Sequence, residues 1–125
     1  LKKERELEIG KRYDVVVRAR PDIVYNTEID FNIEDDTVYF PINNDNAGLC
    51  DQFFYGTSRV MDYMSDLYLN IINYVNEGCA MHPETLVKYH FDKSKFKVKR
   101  SNAEIDIVWK YAKKGPEWQK NILND

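Results

Sequence analysis

Alternation of apolar and polar residues predicts two strands near the start of the chain. In residues 13–19 the odd-numbered positions hold Tyr, Val, Val and Ala, so one face of this strand is expected to be buried. A longer alternation runs through residues 23–33, where the odd-numbered positions hold Ile, Tyr, Thr, Ile, Phe and Ile. Pro21 and Asp22 lie between the two segments and supply a turn.

A hairpin is predicted where the second strand meets a third strand around Asp35 and Asp36. A tight turn at these two residues buries the large apolar side chains of both strands on one face. The expected cross-strand pairs are Ile33 with Val38, Phe31 with Phe40, and Ile29 with Ile42. Because Pro41 has no N–H to donate, the third strand is expected to lie at a sheet edge or to end there.

Helical spacing of apolar residues predicts helices in the middle of the chain. A short helical pattern opens at Leu49, includes two Phe residues and is interrupted by Gly56. A longer helix is predicted from Ser58 to a C-cap at Gly78. Its expected buried stripe consists of Val60, Met61, Met64, Leu67, Tyr68, Ile71, Ile72 and Val75.

A further helix and a second hairpin are predicted after this long helix. Pro83 is suited to the first position of a helix, which is expected to end near Asp92. The second hairpin is expected to turn at Ser101 and Asn102. Its expected pairs are Phe96–Ile107 and Val98–Ile105 on one face, and Lys97–Asp106 and Lys99–Glu104 on the other.

The predicted elements follow the order β-β-β-α-α-β-β-α, in which the last helix begins after Gly115 and Pro116. This order predicts an α+β fold, in which an antiparallel sheet of about five strands carries helices packed on one face. The whole chain, residues 1–125, is expected to form a single domain. Residues 1–10 are expected to be a flexible tail or a frayed helix turn.

Acidic and basic residues are segregated along the chain. Residues 1–21 contain 7 bases and 4 acids, residues 22–84 contain 12 acids and one base, Arg59, and residues 85–125 contain 10 bases and 5 acids. These segments carry formal charges of +3, −11 and +5, which give the net charge of −3. Such segregation bears on surface potential and on partners, and no catalytic or cofactor motif accompanies it.

An acidic face on the long helix is the first candidate site. Opposite the predicted buried stripe the helix carries acids and amides without Lys, although exposed helix faces usually mix Lys with Glu. Tyr beside acid is typical of surfaces that meet a basic protein partner, because Tyr supplies contact area and acid steers the encounter. A solvated helix face is the alternative interpretation. The candidate partner-binding residues are Asp62, Tyr63, Asp66, Asn70, Asn73, Tyr74 and Glu77.

Basic residues interleaved with aromatic ones form a second candidate, since phosphate contacts and base stacking together bind single-stranded nucleic acid. The candidate residues are Lys95, Lys97, Lys99, Arg100, Lys110, Lys113 and Lys114. The predicted hairpin already pairs Lys97 and Lys99 with acids, and a pI near 5.4 differs from the basic footprint expected of nucleic-acid binders. In the alternative interpretation, the acidic middle and the basic ends meet each other within the fold.

Metal and nucleophile chemistry have weaker support in the sequence. The predicted strands place Asp14 opposite Glu28, where two carboxylates are able to share a proton or a cation, but no calcium-loop spacing is present. The spacing of Cys79 and His82 lacks the second ligand pair of a structural zinc site, and no third group marks a catalytic triad. No catalytic residue, metal site or cofactor is therefore assigned.

These observations predict a small non-enzymatic interaction protein, an inhibitor or regulator that docks an acidic helix face onto a basic surface of a partner protein. Viral or mobile-element antagonists and immunity-type proteins bind their targets through acidic surfaces of this kind. The alternative is a nucleotide or single-stranded nucleic acid binding protein that uses the basic C-terminal hairpin, and an enzyme would need a pocket around His82 or His90. The apolar runs are too short for a membrane span, so a cytoplasmic location is expected. A homodimer that covers an open sheet edge is a further possibility.

Overall fold

The computed structural model describes residues 1–108, which form an α+β fold and so confirm the predicted class. The helices are α1 (Lys2–Ile9), α2 (Ser58–Ser65), α3 (Leu67–Asn76) and α4 (Pro83–Asp92). The strands are β1 (Val16–Ala19), β2 (Ile23–Tyr25), β3 (Thr37–Phe40), β4 (Phe53–Gly56), β5 (Lys97–Arg100) and β6 (Ile105–Ile107). The helix predicted after Gly115 and Pro116 lies outside the described residues.

Within residues 1–108 the strands form two sheets, so the prediction of one antiparallel sheet of about five strands is wrong in its topology. The larger sheet is mixed and has the order β1-β4-β3-β5, with β3 and β5 parallel and the other neighbours antiparallel. The smaller sheet pairs β2 with β6 in antiparallel fashion. Helix α2 packs against β1, β3 and β4, and both α3 and α4 contact α2.

The first predicted hairpin is wrong because β3 takes other partners. Strand β3 lies between β4 and β5 and is therefore a central strand, although it ends at Phe40, just before Pro41, as the missing N–H of proline requires. Strand β2 stops at Tyr25, and Ile29 and Ile33 pack against the core from a segment without strand structure. An irregular segment that packs single apolar side chains on the core can have the same sequence pattern as a strand, so periodicity did not distinguish them.

Strand β4 occupies the position where the sequence pattern predicted a short helix. All of its residues are buried, and a strand that is buried on both faces shows a continuous apolar run instead of alternation. The ring of Tyr55 in β4 stacks on Tyr39 of β3 with centroids 5.1 Å apart. The central place of β4 in the sheet therefore explains the run that was interpreted as helical.

The second predicted hairpin is also wrong, because its two strands belong to different sheets. Strand β5 pairs in parallel with β3, whereas β6 pairs with β2. The basic residues of β5 consequently meet other acids than the ones predicted. Lys97 lies 3.4 Å from Asp36 and Lys99 lies 2.9 Å from Glu34.

The buried face of β1 differs from the predicted one. Val15 packs against the core as predicted, but so does Val16 from the other predicted face, whereas Tyr13 and Val17 are exposed. Three consecutive Val residues allow either register, so the alternation did not determine which side is buried. In the structure, β1 contacts α2.

The predicted long helix and the helix after it are confirmed in outline. The long helix begins at Ser58 as predicted, but Asp66 divides it into α2 and α3. Gly78 has a φ of 104°, the positive backbone angle expected of a glycine at a helix C-terminus. Helix α4 begins at Pro83 and ends at Asp92, as the sequence predicted.

The core lies between the larger sheet and α2. Phe40, Phe53 and Tyr55 contribute fully buried rings from the sheet, and Met61 and Met64 contribute fully buried side chains from α2. A smaller buried cluster forms where α3 meets α4. The second cluster holds α3 beside the central core and determines which side of α3 faces outward.

Candidate protein-interaction site

Ion pairs join the acidic middle of the chain to its basic ends. These pairs are Lys2–Asp62, Arg20–Asp22, Lys93–Glu77, Lys97–Asp36, Lys99–Glu34 and Arg100–Asp45. Most of these side chains are partly exposed, so each pair contributes at most about 1 kcal/mol to stability. The segregated charges therefore meet within one chain, which is the alternative that the sequence left open.

Two acids of the predicted helix face, Asp62 and Glu77, have partners inside the chain. Asp62 accepts a hydrogen bond from Lys2 of α1 at 2.7 Å. Glu77 accepts a hydrogen bond from the Tyr89 hydroxyl at 2.6 Å and lies 3.2 Å from the Lys93 ammonium. The Tyr89 and Lys93 contacts hold the pKa of Glu77 below its ordinary value. Replacing either acid by Lys would therefore bring like charges together as well as change the surface.

The middle of the predicted acidic face is formed by Asp66, Asn70 and Asn73. Asp66 lies between α2 and α3, and its carbonyl oxygen accepts a hydrogen bond from Asn70 at 3.0 Å. Asn73 is exposed, whereas the other two residues are half-buried. These residues form a polar side of α3 that is only partly open to solvent.

The two remaining residues of that face, Tyr63 and Tyr74, hold His90 of α4. His90 is 2% exposed, its Nδ1 lies 2.6 Å from the Tyr74 hydroxyl, and its Nε2 lies 2.7 Å from the Tyr63 carbonyl oxygen. Because a carbonyl oxygen only accepts, Nε2 carries the proton and Nδ1 accepts a hydrogen bond from Tyr74. The Tyr63 ring stacks on the imidazole with centroids 4.2 Å apart. The two tyrosines therefore join α2, α3 and α4.

His90 makes the stability of the fold depend on pH. Burial lowers the pKa of His90 below its ordinary value of 6.5, and the hydrogen bond to the Tyr63 carbonyl oxygen and the charge of Asp66 oppose this shift only in part. As the pH falls below about 6.5, the unfolded chain takes up a proton that the folded chain does not, so the folded state loses stability. We expect the free energy of unfolding, measured by urea denaturation, to be lower at about pH 5.5 than at about pH 7.5.

The chain offers a matched control for this pH dependence, because it contains just two histidines. The His90→Gln variant should lose the decline in unfolding free energy, whereas His82→Gln, whose side chain is 44% exposed in the native protein, should keep it. A decline that persists unchanged in His90→Gln would assign the effect to other groups.

The basic residues predicted to contact nucleic acid are described only in part. Lys97, Lys99 and Arg100 each form an ion pair with an acid, whereas Lys95 is exposed ahead of β5. A phosphate would have to displace these acids from the three paired cations. The remaining predicted residues, Lys110, Lys113 and Lys114, lie outside the described residues.

Helix α3 has an exposed apolar surface that was not predicted from the sequence pattern. Tyr68, Leu69 and Ile72 are 71%, 63% and 77% exposed, and Val75 is exposed on the same side. These four residues are called the α3 face below. Tyr68, Ile72 and Val75 were predicted to be buried, so the predicted stripe is wrong at these three positions, whereas Leu67 and Ile71 pack inward as predicted. Helix α3 instead buries Tyr74, with Leu67 and Ile71 partly buried, against residues of α4.

The composition of α3 contains a signal for this exposed surface. Apolar or aromatic residues occupy seven of the nine positions in residues 67–75. A helix that packs on one side against a core needs an apolar stripe on that side only. The excess of apolar residues therefore indicates a second surface that is suited to contact.

An apolar groove lies beside the α3 face, between α3 and the start of α4. Its volume is about 340 Å³. Six of its apolar lining residues are Leu67, Tyr68, Ile71, Met81, Leu86 and Val87. Because Tyr68 belongs to both features, the α3 face and the groove form one continuous surface.

Two charged residues, Arg18 and Asp51, also line the groove. Arg18 is engaged, because its Nε donates to the Asp51 carbonyl oxygen at 3.2 Å and its guanidinium lies over the Phe54 ring. The half-buried carboxylate of Asp51 forms no ion pair within residues 1–108. Burial raises the pKa of Asp51 and the charge of Glu84 raises it further, while the charges of Arg18 and Arg20 offset this rise only in part. The groove therefore contains a carboxylate whose charge the neighbouring guanidinium groups compensate only in part.

A strained loop holds the acidic side of the groove in place. Asn44, Asn46 and Ala47 have positive φ angles of 66°, 46° and 67°, which are unfavourable for residues with a Cβ atom. Asn46 donates a hydrogen bond to the buried carboxylate of Glu84 at 3.0 Å. The loop is thereby tied to the first turn of α4, close to Asp51.

The residues considered for metal or nucleophile chemistry are separated or engaged. Strand β1 pairs with β4, so the predicted placement of Asp14 opposite Glu28 is wrong. His82 Nδ1 lies 2.9 Å from the Thr85 hydroxyl, and Cys79 is a buried free thiol. In the part of the chain that the structure describes, no group of three His, Cys, Asp or Glu residues is arranged to hold a metal ion.

Comparisons with protein-family models, with curated proteins and with solved structures give no match to this chain. The α3 face and the groove are therefore the features of the molecule that bear on its function. Across residues 1–108, no helix combines the length and the apolar character needed to cross a membrane.

Proposed function

We propose that this protein is a non-enzymatic interaction module, of the inhibitor or regulator kind, that binds a partner protein through the α3 face and the groove. The observation that carries this proposal is the exposure of Tyr68, Leu69 and Ile72 on one helix. Fully burying a side chain such as Leu or Ile stabilises an assembly by about 1.5–3 kcal/mol. Exposed apolar patches next to a groove are typical of sites that bind protein segments.

The proposed interface lies on the apolar side of α3 rather than on the acidic face predicted from the sequence. Asp62 and Glu77 are neutralised by Lys2 and Lys93, which weakens their pull on a partner. Within residues 1–108, the side chains of the α3 face are exposed and offer contact area to a partner. A partner helix that lays its apolar side into the groove is the binding mode that this shape favours.

The proposal predicts that binding depends on Ile72. A displayed library of random peptides is selected on the wild-type protein, and the affinities of the selected peptides are then measured by fluorescence anisotropy. We expect Ile72→Asp to weaken binding by about 100-fold, because a central apolar contact is worth roughly 2 kcal/mol or more. The exposed position of Ile72 allows the charge without loss of folding, which circular dichroism checks.

The matched control is Leu7→Asp, which places the same charge on another exposed apolar residue. Leu7 is 83% exposed on α1 and lines neither the α3 face nor the groove. This variant should bind the selected peptides within about 2-fold of the wild-type affinity. Selection of no peptide, or of peptides that are indifferent to Ile72→Asp, contradicts the proposed function.

A further inference from the structure

The charges of the groove narrow the chemistry of the segment that fits it. The lining is mainly apolar, and its charged members among residues 1–108 are Arg18 and Asp51. Arg18 is held by a backbone carbonyl oxygen and by an aromatic ring, whereas the Asp51 carboxylate has no ion pair within the described residues. The buried carboxylate of Glu84 adds to the negative charge near Asp51.

We infer that the groove binds a basic amphipathic segment of another protein, in which one Lys or Arg side chain pairs with Asp51. This inference rests on the proposed function and names the partner's chemistry. The apolar face of the segment covers Tyr68, Ile71 and Ile72. The cation forms the ion pair that the Asp51 carboxylate lacks within residues 1–108.

The lining of the groove suits a long cationic side chain. Lys and Arg bury their methylene groups along apolar surface while the charged group reaches a polar one. Met81 and Pro83 provide apolar surface in the same groove as Asp51. A half-buried carboxylate also attracts a cation more strongly than a fully solvated one does, because water screens it less.

A second copy of this chain fits the groove less well than a basic segment does. A symmetric dimer contact places the same surface on both sides. The cation that a second copy would bring from its own groove is Arg18, which is already held by the Asp51 carbonyl oxygen and the Phe54 ring. The charge pattern therefore favours a different protein as the occupant.

A focused display experiment tests the role of Asp51. The displayed peptides share a constant apolar helical sequence, and their flanking positions vary among Lys, Arg, Glu, Asp, Gln and Ala. Peptides are selected separately on the wild-type protein, on Asp51→Asn and on Asp51→Lys. We expect Lys or Arg to be enriched by about 10-fold at one position on the wild type. This enrichment should disappear on Asp51→Asn and should change to Glu or Asp on Asp51→Lys.

The control variant and a self-association measurement make the outcome decisive. Asp14→Asn removes an acid that does not line the groove, so it should leave the enrichment unchanged. If the selected peptides depend on Ile72 but show no preference for Lys or Arg, the inference is overturned and the proposed function stands. If no peptide is selected on the wild type, both are overturned. A dimer that Ile72→Asp dissolves, detected by sedimentation equilibrium, assigns the surface to a second copy and also overturns the inference.

Discussion

Replacing Gly48 by Ala is expected to lower the free energy of unfolding by about 3 kcal/mol or more. A Cβ atom at this position would lie 2.1 Å from the carbonyl oxygen and 2.3 Å from the carbonyl carbon of Glu84. Both are backbone atoms at the start of α4, and the Leu49 N–H donates to the same oxygen at 3.0 Å. The clash is therefore relieved only if the loop or the helix moves. Urea denaturation followed by circular dichroism measures the loss.

Gly78→Ala is the matched control, because it introduces the same methyl group without a clash. Gly78 has a φ of 104°, and no atom would lie within 4 Å of an added Cβ. We expect this variant to cost about 1–2 kcal/mol, from backbone strain alone. If Gly48→Ala is as stable as Gly78→Ala, the close packing of the loop on α4 is incorrect. A folded Gly48→Ala variant should also bind the selected peptides more weakly, since the loop positions Asp51.

Replacing Phe40 by Ala is expected to lower the free energy of unfolding by about 3–5 kcal/mol. Phe40 is fully buried in β3, and its ring centroid lies 5.3 Å from that of Phe54 and 6.3 Å from that of Phe91. Removal of the ring leaves a cavity between the sheet and α4 that these neighbours fill only partly. The same urea denaturation measurement gives the loss.

Ile42→Ala is the comparison that separates the observed sheet from the predicted hairpin. In the predicted hairpin both Phe40 and Ile42 face the core, opposite Phe31 and Ile29. In the structure Ile42 is 57% exposed beyond the end of β3, so its truncation should change the unfolding free energy by about 0.5 kcal/mol. Equal and large losses from Phe40→Ala and Ile42→Ala would support the hairpin and argue against the mixed sheet.

Helix ends are the part of the fold that the sequence predicted best. Pro83 marks the start of α4, and Gly78 marks the C-terminus of α3. Such signals act through the φ angle or a missing N–H of a single residue, so neighbours in the chain are enough to recognise them. The division at Asp66 was missed because Asp is allowed within a helix, and no Pro or Gly stands there.

Strand partners were predicted badly, for a reason that β3 illustrates. Val38 lies opposite Val98 in the parallel pair of β3 and β5, and these residues are far apart in the chain. An apolar residue carries no mark that identifies the strand it will pair with, so the nearest pairing was predicted in both hairpins. The antiparallel hairpin at residues 29–42 also satisfied the local pattern, but it left β4 without the buried place that its aromatic residues need.

The candidate site also combines features that the sequence revealed with features that depended on the tertiary structure. The acids of the middle segment were recognisable, but their neutralisation by Lys2 and Lys93 depended on contacts between distant elements. The excess of apolar residues in α3 was visible in the sequence, yet it was assigned to the core. The side of α3 that faces outward follows from how Leu67 and Ile71 pack against α4.

The sequence by itself determined the α+β class, the ends of α4 and the separation of acidic from basic segments. These properties depend on composition and on residues close together in the chain. Only the tertiary structure decided the mixed sheet, the internal pairing of the charges and the exposure of Tyr68 and Ile72. A local pattern specifies that a side chain is suited to burial, whereas its actual burial depends on which distant element covers it.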